Sequence, residues 1–415
     1  MKTLISQAKI IDKRHAQNGE TVDLLIVDGK IEKIAPSIND AVDEKIEGDG
    51  LCVSIGWMDM RANFRDPGEE YKEGVANGLK VAAKSGFTAI ALSPDTTPAI
   101  DNKGAVEYLR NRAKGSGVDI YPIGAVSVGL KGESMSEMYD MHQAGAVGFG
   151  DDKHSLNESG LLHRALLYTS NFNAPVFHFP YDSSLIPNGQ INEGELSTNL
   201  GLKGIPAISE EMMVRRDLTL LAYTEGRLHL GPISSAKSAE LADESRQKGL
   251  RVTTEVTAAH LAFSEGKVDD YDVNFKLMPP LRTEENRKAL IAALKAGKID
   301  VISSDHSPED EEHKKLEFDL ANFGMAGMEL FFPMVLGAVG NALRLDELVA
   351  KFSTVPREIL GIDVPVIAEG EKANLTVFST EENTVDSKFQ TKGYNIPTLQ
   401  ESLKGKVIRT VHTNF

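Results

Sequence analysis

The chain has 415 residues, with 61 acidic and 45 basic side chains and a formal net charge of −16. That balance argues against binding nucleic acid or an anionic membrane surface, both of which attract lysine and arginine. One cysteine, Cys52, excludes an intrachain disulfide and a cysteine-built metal site and fits a reducing cytoplasm, the location expected here.

Residues 1–12 lack a cleavable leader pattern, and no run approaches the ~18 apolar residues of a membrane span. Residues 24–27 and 30–34 are strand-like and flank Asp28-Gly29, a strong hairpin signal. From about residue 57, β-branched runs alternate with helical segments. The runs are 58–62, 88–92, 120–126, 146–150, 175–178, 227–230, 252–256 and 299–303. Ser209 is expected to cap a helix with Glu210 and Glu211 in its first turn and Val214, Leu218, Leu221 and Ala222 on its apolar face. Residues 284–296 form a similar segment that stops at Gly297. Eight β-then-α units predict an α/β fold, a parallel (β/α)8 TIM-type barrel spanning 53–364. Residues 373–378 and 406–411 are strand-like again. Segments 1–52 and 365–415 are therefore expected to form one small satellite β domain from both termini.

In such barrels the active site lies at the C-terminal ends of the strands. The first strand leads into Arg61-Ala62-Asn63-Phe64-Arg65-Asp66-Pro67-Gly68, and the second into Ser93-Pro94-Asp95-Thr96-Thr97-Pro98. The fourth gives Gly150-Asp151-Asp152, the fifth His178, the sixth His229 and then Pro232, and the eighth Ser304-Asp305-His306-Ser307-Pro308. With residues 210–217, Lys276, Pro279-Pro280-Leu281-Arg282 and Phe323-Gly324, this ordered set resembles the amidohydrolase superfamily. Within it, the set is similar to dihydroorotases of the type that includes bacterial pyrimidine-pathway enzymes. The resemblance covers nearly the whole chain.

The resemblance implies metal-assisted amide hydrolysis, interconverting carbamoyl-aspartate and dihydroorotate. Zinc lowers the pKa of its bound water to roughly 7, and the aspartate ending the eighth strand, Asp305 here, moves the proton as general base. The departures lie on the metal. Arg61 and Asn63 stand where the family has two metal-binding histidines, and Pro232 stands at the sixth-strand histidine. Arginine is a fixed cation, asparagine a poor zinc ligand, and proline no ligand. Asp151 or Asp152, His178 and Asp305 match metal positions as remnants, too few for a two-metal centre. A turn cap at Asp305 and a satisfied inner-face histidine at His178 are the structural alternatives. His229, three residues before Pro232, is expected to point elsewhere, and His260 and His306 supply no convincing ligand set.

On the substrate side, Arg65 matches the arginine that binds substrate carboxylate; an ion pair with Asp66 or Asp95 is the structural alternative. Asp95 replaces a substrate-contacting asparagine and would repel a carboxylate. Met278 and Glu309 replace another asparagine and a histidine. These losses imply a non-catalytic homologue without a cofactor, acting as a structural or regulatory partner. Some family members that lack metal ligands serve aspartate carbamoyltransferase in this way, and family members are often homodimers. The alternatives are an active dihydroorotase or related cyclic amidohydrolase with zinc in a rebuilt site, and a small-molecule-binding regulator that uses Arg65.

Overall fold

Asp28 and Gly29 both take positive φ, 46° and 75°, the left-handed pair that a two-residue hairpin turn requires. Strands Thr21–Val27 and Lys30–Ala35 accordingly pair antiparallel, with Val27 opposite Lys30. The computed structural model describes residues 1–383, 388–399 and 403–412. In it the hairpin is one edge of a seven-stranded sheet drawn from both ends of the chain. Across the sheet the order is Leu403–His412, Asn374–Asn383, Leu51–Ile55, Lys2–Ile10, Thr21–Val27 and Lys30–Ala35. The short strand Glu44–Ile46 pairs parallel to Lys2–Ile10 off this path. Ile5, Leu24, Val53, Leu375 and Val377 form part of its core. An open groove of 860 Å³ runs between Met1 and Thr3 on one side and Val407–Val411 on the other.

Eight parallel strands follow one another in chain order: Trp57–Ala62, Phe87–Leu92, Asp119–Gly124, Gly148–Phe149, Val176–His178, Leu228–Leu230, Val252–Thr257 and Val301–Ser303. Each of the eight expected runs overlaps one strand. The first and last meet through a parallel bridge between Ala62 and His306 and a 2.8 Å bond from the Asn63 N–H to the His306 carbonyl. Met58, Met60, Ala89, Ala91, Phe177 and Val301 pack together as the barrel filling. Val252 and Val256 face the helix layer, while the alternating Thr253 and Glu255 both bond His229 on the neighbouring strand, the period of two that a strand imposes.

Two helix details differ from expectation. Helix Ile208–Thr224 begins one residue before Ser209, whose hydroxyl donates to the Pro206 carbonyl at 2.7 Å instead of capping. Val214, Leu218 and Leu221 are buried, but Ala222 is exposed. Helix Glu284–Lys295 ends as expected, with Gly297 at φ 74°. Among the described residues no helix is long and apolar enough to cross a membrane.

Candidate functional site

Three strand exits place a non-glycine residue in the left-handed region: Arg65 (φ 56°), Asp152 (φ 49°) and Asp305 (φ 51°). Such conformations cost free energy and gather at functional sites. All three side chains line a 290 Å³ cavity at the C-terminal mouth of the barrel, together with Arg61, Asp95 and Lys153. Two motif glycines allow the loops to close around it. Gly68 has φ 104°, and a Cβ there would meet the Thr97 carbonyl oxygen at 1.9 Å; at Gly324 (φ 132°) a Cβ would meet the Ser307 carbonyl oxygen at 2.7 Å.

Arg61 fills the centre. The pairing register shifts between Asp59 and Ala62, an irregularity of the kind that re-aims side chains at barrel rims. The guanidinium donates from Nε to Glu255 at 2.5 Å, from one terminal nitrogen to Asp152, and from the other to the Gly231 carbonyl at 3.0 Å. Glu255 is fully buried, and its second oxygen lies 3.3 Å from His229 Nε2. Burial alone raises the Glu255 carboxyl, but the Arg61 charge and the His229 bond outweigh it and bring it to about 2. Burial opposes the Arg61 charge, but Glu255, Asp152 and Asp305 more than reverse that, so Arg61 stays a cation.

Lys153 is a second cation. Its Nζ donates to Asp305 at 2.8 Å and to the Met278 carbonyl at 2.6 Å. Burial raises the Asp305 carboxyl above its ordinary range, with Lys153 and Arg61 pulling against it.

The remaining positions are also engaged. Asn63 donates to the Asp95 carbonyl at 2.6 Å and accepts from the Arg65 N–H at 2.8 Å. His178 Nε2 accepts the Leu156 N–H at 2.9 Å, and its Nδ1 lies 2.6 Å from Asp217; one nitrogen is therefore an acceptor in use and the other the donor. Asp151 turns away from the mouth: its oxygens accept the N–H groups of Val126 and Ser127 and the Ser127 hydroxyl. Of the Asp151–Asp152 pair, Asp152 is the one on the cavity. Pro232 is buried beside Gly231 and offers nothing. His229 is buried, its ring between Thr253 and Glu255, and it is not among the residues that line the cavity. His260 spans Thr257 and the Pro279 carbonyl, and burial lowers it to about 3. His306 pairs with Glu73 at 3.0 Å.

Arg65 bonds Glu309 at 2.7 Å and the Ser307 hydroxyl at 2.8 Å, with Asp95 at 3.8 Å. Its expected alternative partner Asp66 is occupied elsewhere, by the Val75 N–H at 3.0 Å and the Tyr108 hydroxyl at 2.6 Å. Burial raises Asp95, but His154 at 3.3 Å, Arg65 and Lys153 hold it below the usual carboxylate range. The Asp95 bond in turn raises His154 above an ordinary histidine.

These residues do not fit a family-type metal centre. A guanidinium lies among the carboxylates that would bind the ion, and both His178 nitrogens are in use. Among the described residues, Glu309, Asp310 and His313 form the one group of three whose ligand atoms lie within 4.8 Å of one another. Glu309 there is already bound by Arg65, Lys72 and Asn322, which leaves it a poor ligand. Lys153, Glu255 and Asp59 were not singled out from sequence. A charged residue inside a buried strand, as at Asp59 and Glu255, is the signal that marks such positions.

The chain is similar to known proteins over its whole length. The Dihydro-orotase-like family matches residues 51–238, and the Amidohydrolase family matches residues 219–414. A dihydroorotase of Ruminiclostridium cellulolyticum is 38% identical, covering 96% of this chain and 94% of its own. One of Syntrophotalea carbinolica is 36% identical, covering 99% and 97%. Among solved structures, the L-hydantoinase (dihydropyrimidinase) of Arthrobacter aurescens superposes with a TM-score of 0.84 at 21% identity, covering 100% of this chain and 95% of that one, which carries the fold alone. The matched length, the order of the motifs and the barrel agree: this chain belongs to the dihydroorotase family of amidohydrolases.

Proposed function

We propose that this protein is a member of the dihydroorotase family in pyrimidine biosynthesis that lacks dihydroorotase activity and acts as a structural or regulatory partner. Aspartate carbamoyltransferase is the partner we would test first. One observation carries the reading: the Arg61 guanidinium bonds Asp152 and Glu255 at the centre of the barrel mouth. A fixed cation there repels a divalent ion. Arg61 can polarise a carbonyl, but it cannot deliver the metal-bound hydroxide that hydrolysis of this kind uses.

The second reading is an active dihydroorotase with a rebuilt metal site. It is favoured by the name Dihydroorotase carried by relatives that match nearly end to end and by Asp305 at the end of the eighth strand. One experiment separates the two. Tag-free protein, purified without chelators and dialysed against zinc, is assayed for metal content and for dihydroorotate hydrolysis, alongside Asp305→Ala. The first reading expects near-zero metal and no Asp305-dependent turnover. One or two metals per chain, with activity lost in Asp305→Ala, would establish the second.

A further inference from the structure

Two helices on the outside of the barrel meet water with paired charges. Ala236–Gln247 carries Lys237 and Glu240 at 2.8 Å, and Glu284–Lys295 carries Arg287 and Glu284 at 2.6 Å. Ser159–Ser170 and Ile208–Thr224, which pack against each other, are built differently. Neither contains a lysine. On the longer one the outward strip runs Ile208, Met212, Arg215, Thr219 and Tyr223, the three- and four-residue steps of one helix face. Tyr223 is 78% exposed and Met212 48%. The Tyr223 ring reaches the shorter helix at His163, with ring centres 5.6 Å apart, and Leu167 and Tyr168 stand exposed about one turn on. Tyr168 continues the surface to Phe172 at 5.8 Å, and Phe172 to the exposed Tyr139 at 5.6 Å. The inner side of Ile208–Thr224 is already packed through Val214, Leu218 and Leu221, so apolar side chains lie on both sides of it. A helix of that kind is covered on both sides. Tyrosine, methionine and arginine without lysine is also the composition of a protein interface, not of a solvated face.

The charges select what covers it. Arg164 and Arg215 are exposed and, among the described residues, make no ion pair; nor do Glu158, Glu211 and Glu225 on the same helices or at their ends. Opposite charges left unpaired on one face complement that same face turned about a two-fold axis, where residue i meets j and j meets i. Elsewhere, in a chain of net charge −16, two approaching copies set like charges against each other. We propose that the outer face of Ser159–Ser170 and Ile208–Thr224 is a two-fold interface between two copies of this chain. Met212, Tyr223, Leu167 and Tyr168 are its apolar anchors, and the two arginines of each copy meet the three glutamates of the other. None of these residues lines the barrel mouth, so the proposal stands apart from the question of metal and turnover.

Sedimentation equilibrium of the full chain up to about 50 μM, where interfaces of ordinary size are formed, is expected to give twice the 45.1 kDa chain mass. M212E/Y223E puts charges at two anchors and should raise the dimer dissociation constant on the order of a hundredfold. Its far-UV circular dichroism should not change, because both side chains are exposed. K288E, on an exposed position of Glu284–Lys295, should leave the dimer intact. R164E/R215E and E158R/E211R should each be monomeric, and an equimolar mixture of the two should recover the dimer; this pair keeps the test independent of how M212E/Y223E folds. A monomeric wild type would overturn the proposal and give the face to a different protein. A dimer indifferent to M212E/Y223E would put the interface elsewhere, and a mixture that stays monomeric would show that the charges do not pair between copies. Either result overturns the proposal and leaves the reading of the barrel mouth untouched.

Discussion

Asp59 is a carboxyl held where water cannot reach it. It is fully buried at the seam where the first and eighth barrel strands meet. One oxygen accepts the N–H groups of Ser304 at 3.1 Å and Arg61 at 3.3 Å, and the other takes the Ser304 hydroxyl. Burial pushes it up to about 7 against those hydrogen bonds, from an ordinary 3.8. Between these two values the folded chain binds a proton that the unfolded chain has released. Stability from this group is therefore greatest below the unfolded value and falls as pH rises through the folded one, by up to about 1.4 kcal/mol per pH unit. Asp59→Asn abolishes that slope, so its stability relative to wild type should grow by on the order of 2 kcal/mol between pH 5 and pH 8 in urea titrations. His260, lowered to about 3, works in the opposite sense: its contribution is lost on acidification below its ordinary 6.5. Because both proteins keep it, it cancels in the comparison. Parallel pH curves for the two proteins would refute the assignment. Residues such as Arg61, Asn63 and Pro232 could be read from the sequence because their side-chain types disqualify them as zinc ligands wherever they point. Lys153, Glu255 and Asp59 could not, because their roles come from pairings with Asp305, Arg61 and Ser304, between residues 152 to 245 positions apart in the chain. The pairing of His229 with Glu255 could not be read either, because it depends on which face of the barrel wall each side chain takes.

At the scale of elements, the eight barrel strands were readable because short β-branched runs recur between helical segments. Their ends were not, because hydrogen-bond register decides them; the run 146–150 contracts to Gly148–Phe149. The loop after the eighth strand shows what pattern reading misses altogether. It carries Phe323 and Gly324 over the cavity and has no regular structure from 315 to 327. Two buried lysines hold it. Lys276 Nζ donates to the carbonyls of Phe318 at 2.7 Å, Ala321 at 2.6 Å and Asp319 at 3.2 Å, and its ammonium sits 4.8 Å from the centre of the Phe323 ring. Lys314 Nζ donates to the Asn322 carbonyl at 2.8 Å. A loop without a ladder must satisfy its carbonyls in this way or lose them to water. Lys276→Met keeps the apolar stem and removes the donors. It should cost about 1–3 kcal/mol and, in hydrogen exchange, speed exchange in 318–324 while leaving the barrel strands protected. Uniform loss of protection would mean that Lys276 supports the whole barrel and not this loop.

The whole molecule turns on the junction between sheet and barrel, and the chain's single tryptophan marks it. Trp57 opens the first barrel strand, immediately after the terminal-sheet strand Leu51–Ile55. Its indole N–H donates to the Ser54 hydroxyl at 3.0 Å, and its backbone N–H to the Thr376 hydroxyl at 3.1 Å. Its ring meets Phe332 at 4.9 Å, Phe352 at 5.1 Å and Phe378 at 5.3 Å. Thr376 and Phe378 lie on a strand of the terminal sheet, while Phe332 and Phe352 come from the helical layer and its loops. Arg357 adds a 2.7 Å bond to the Gly56 carbonyl between the two bodies. Neither body can expose this aromatic cluster without stripping the other, so the sheet and barrel should unfold as one. Urea unfolding followed by Trp57 fluorescence, which reports the junction, should share its midpoint with far-UV circular dichroism, which reports the helices and strands throughout. Trp57→Ala should remove on the order of 3–5 kcal/mol or split the dichroism curve into two steps as the bodies uncouple. Non-coincident transitions in the wild type would show that the terminal sheet unfolds on its own and that the aromatic contact is too weak to join it to the barrel.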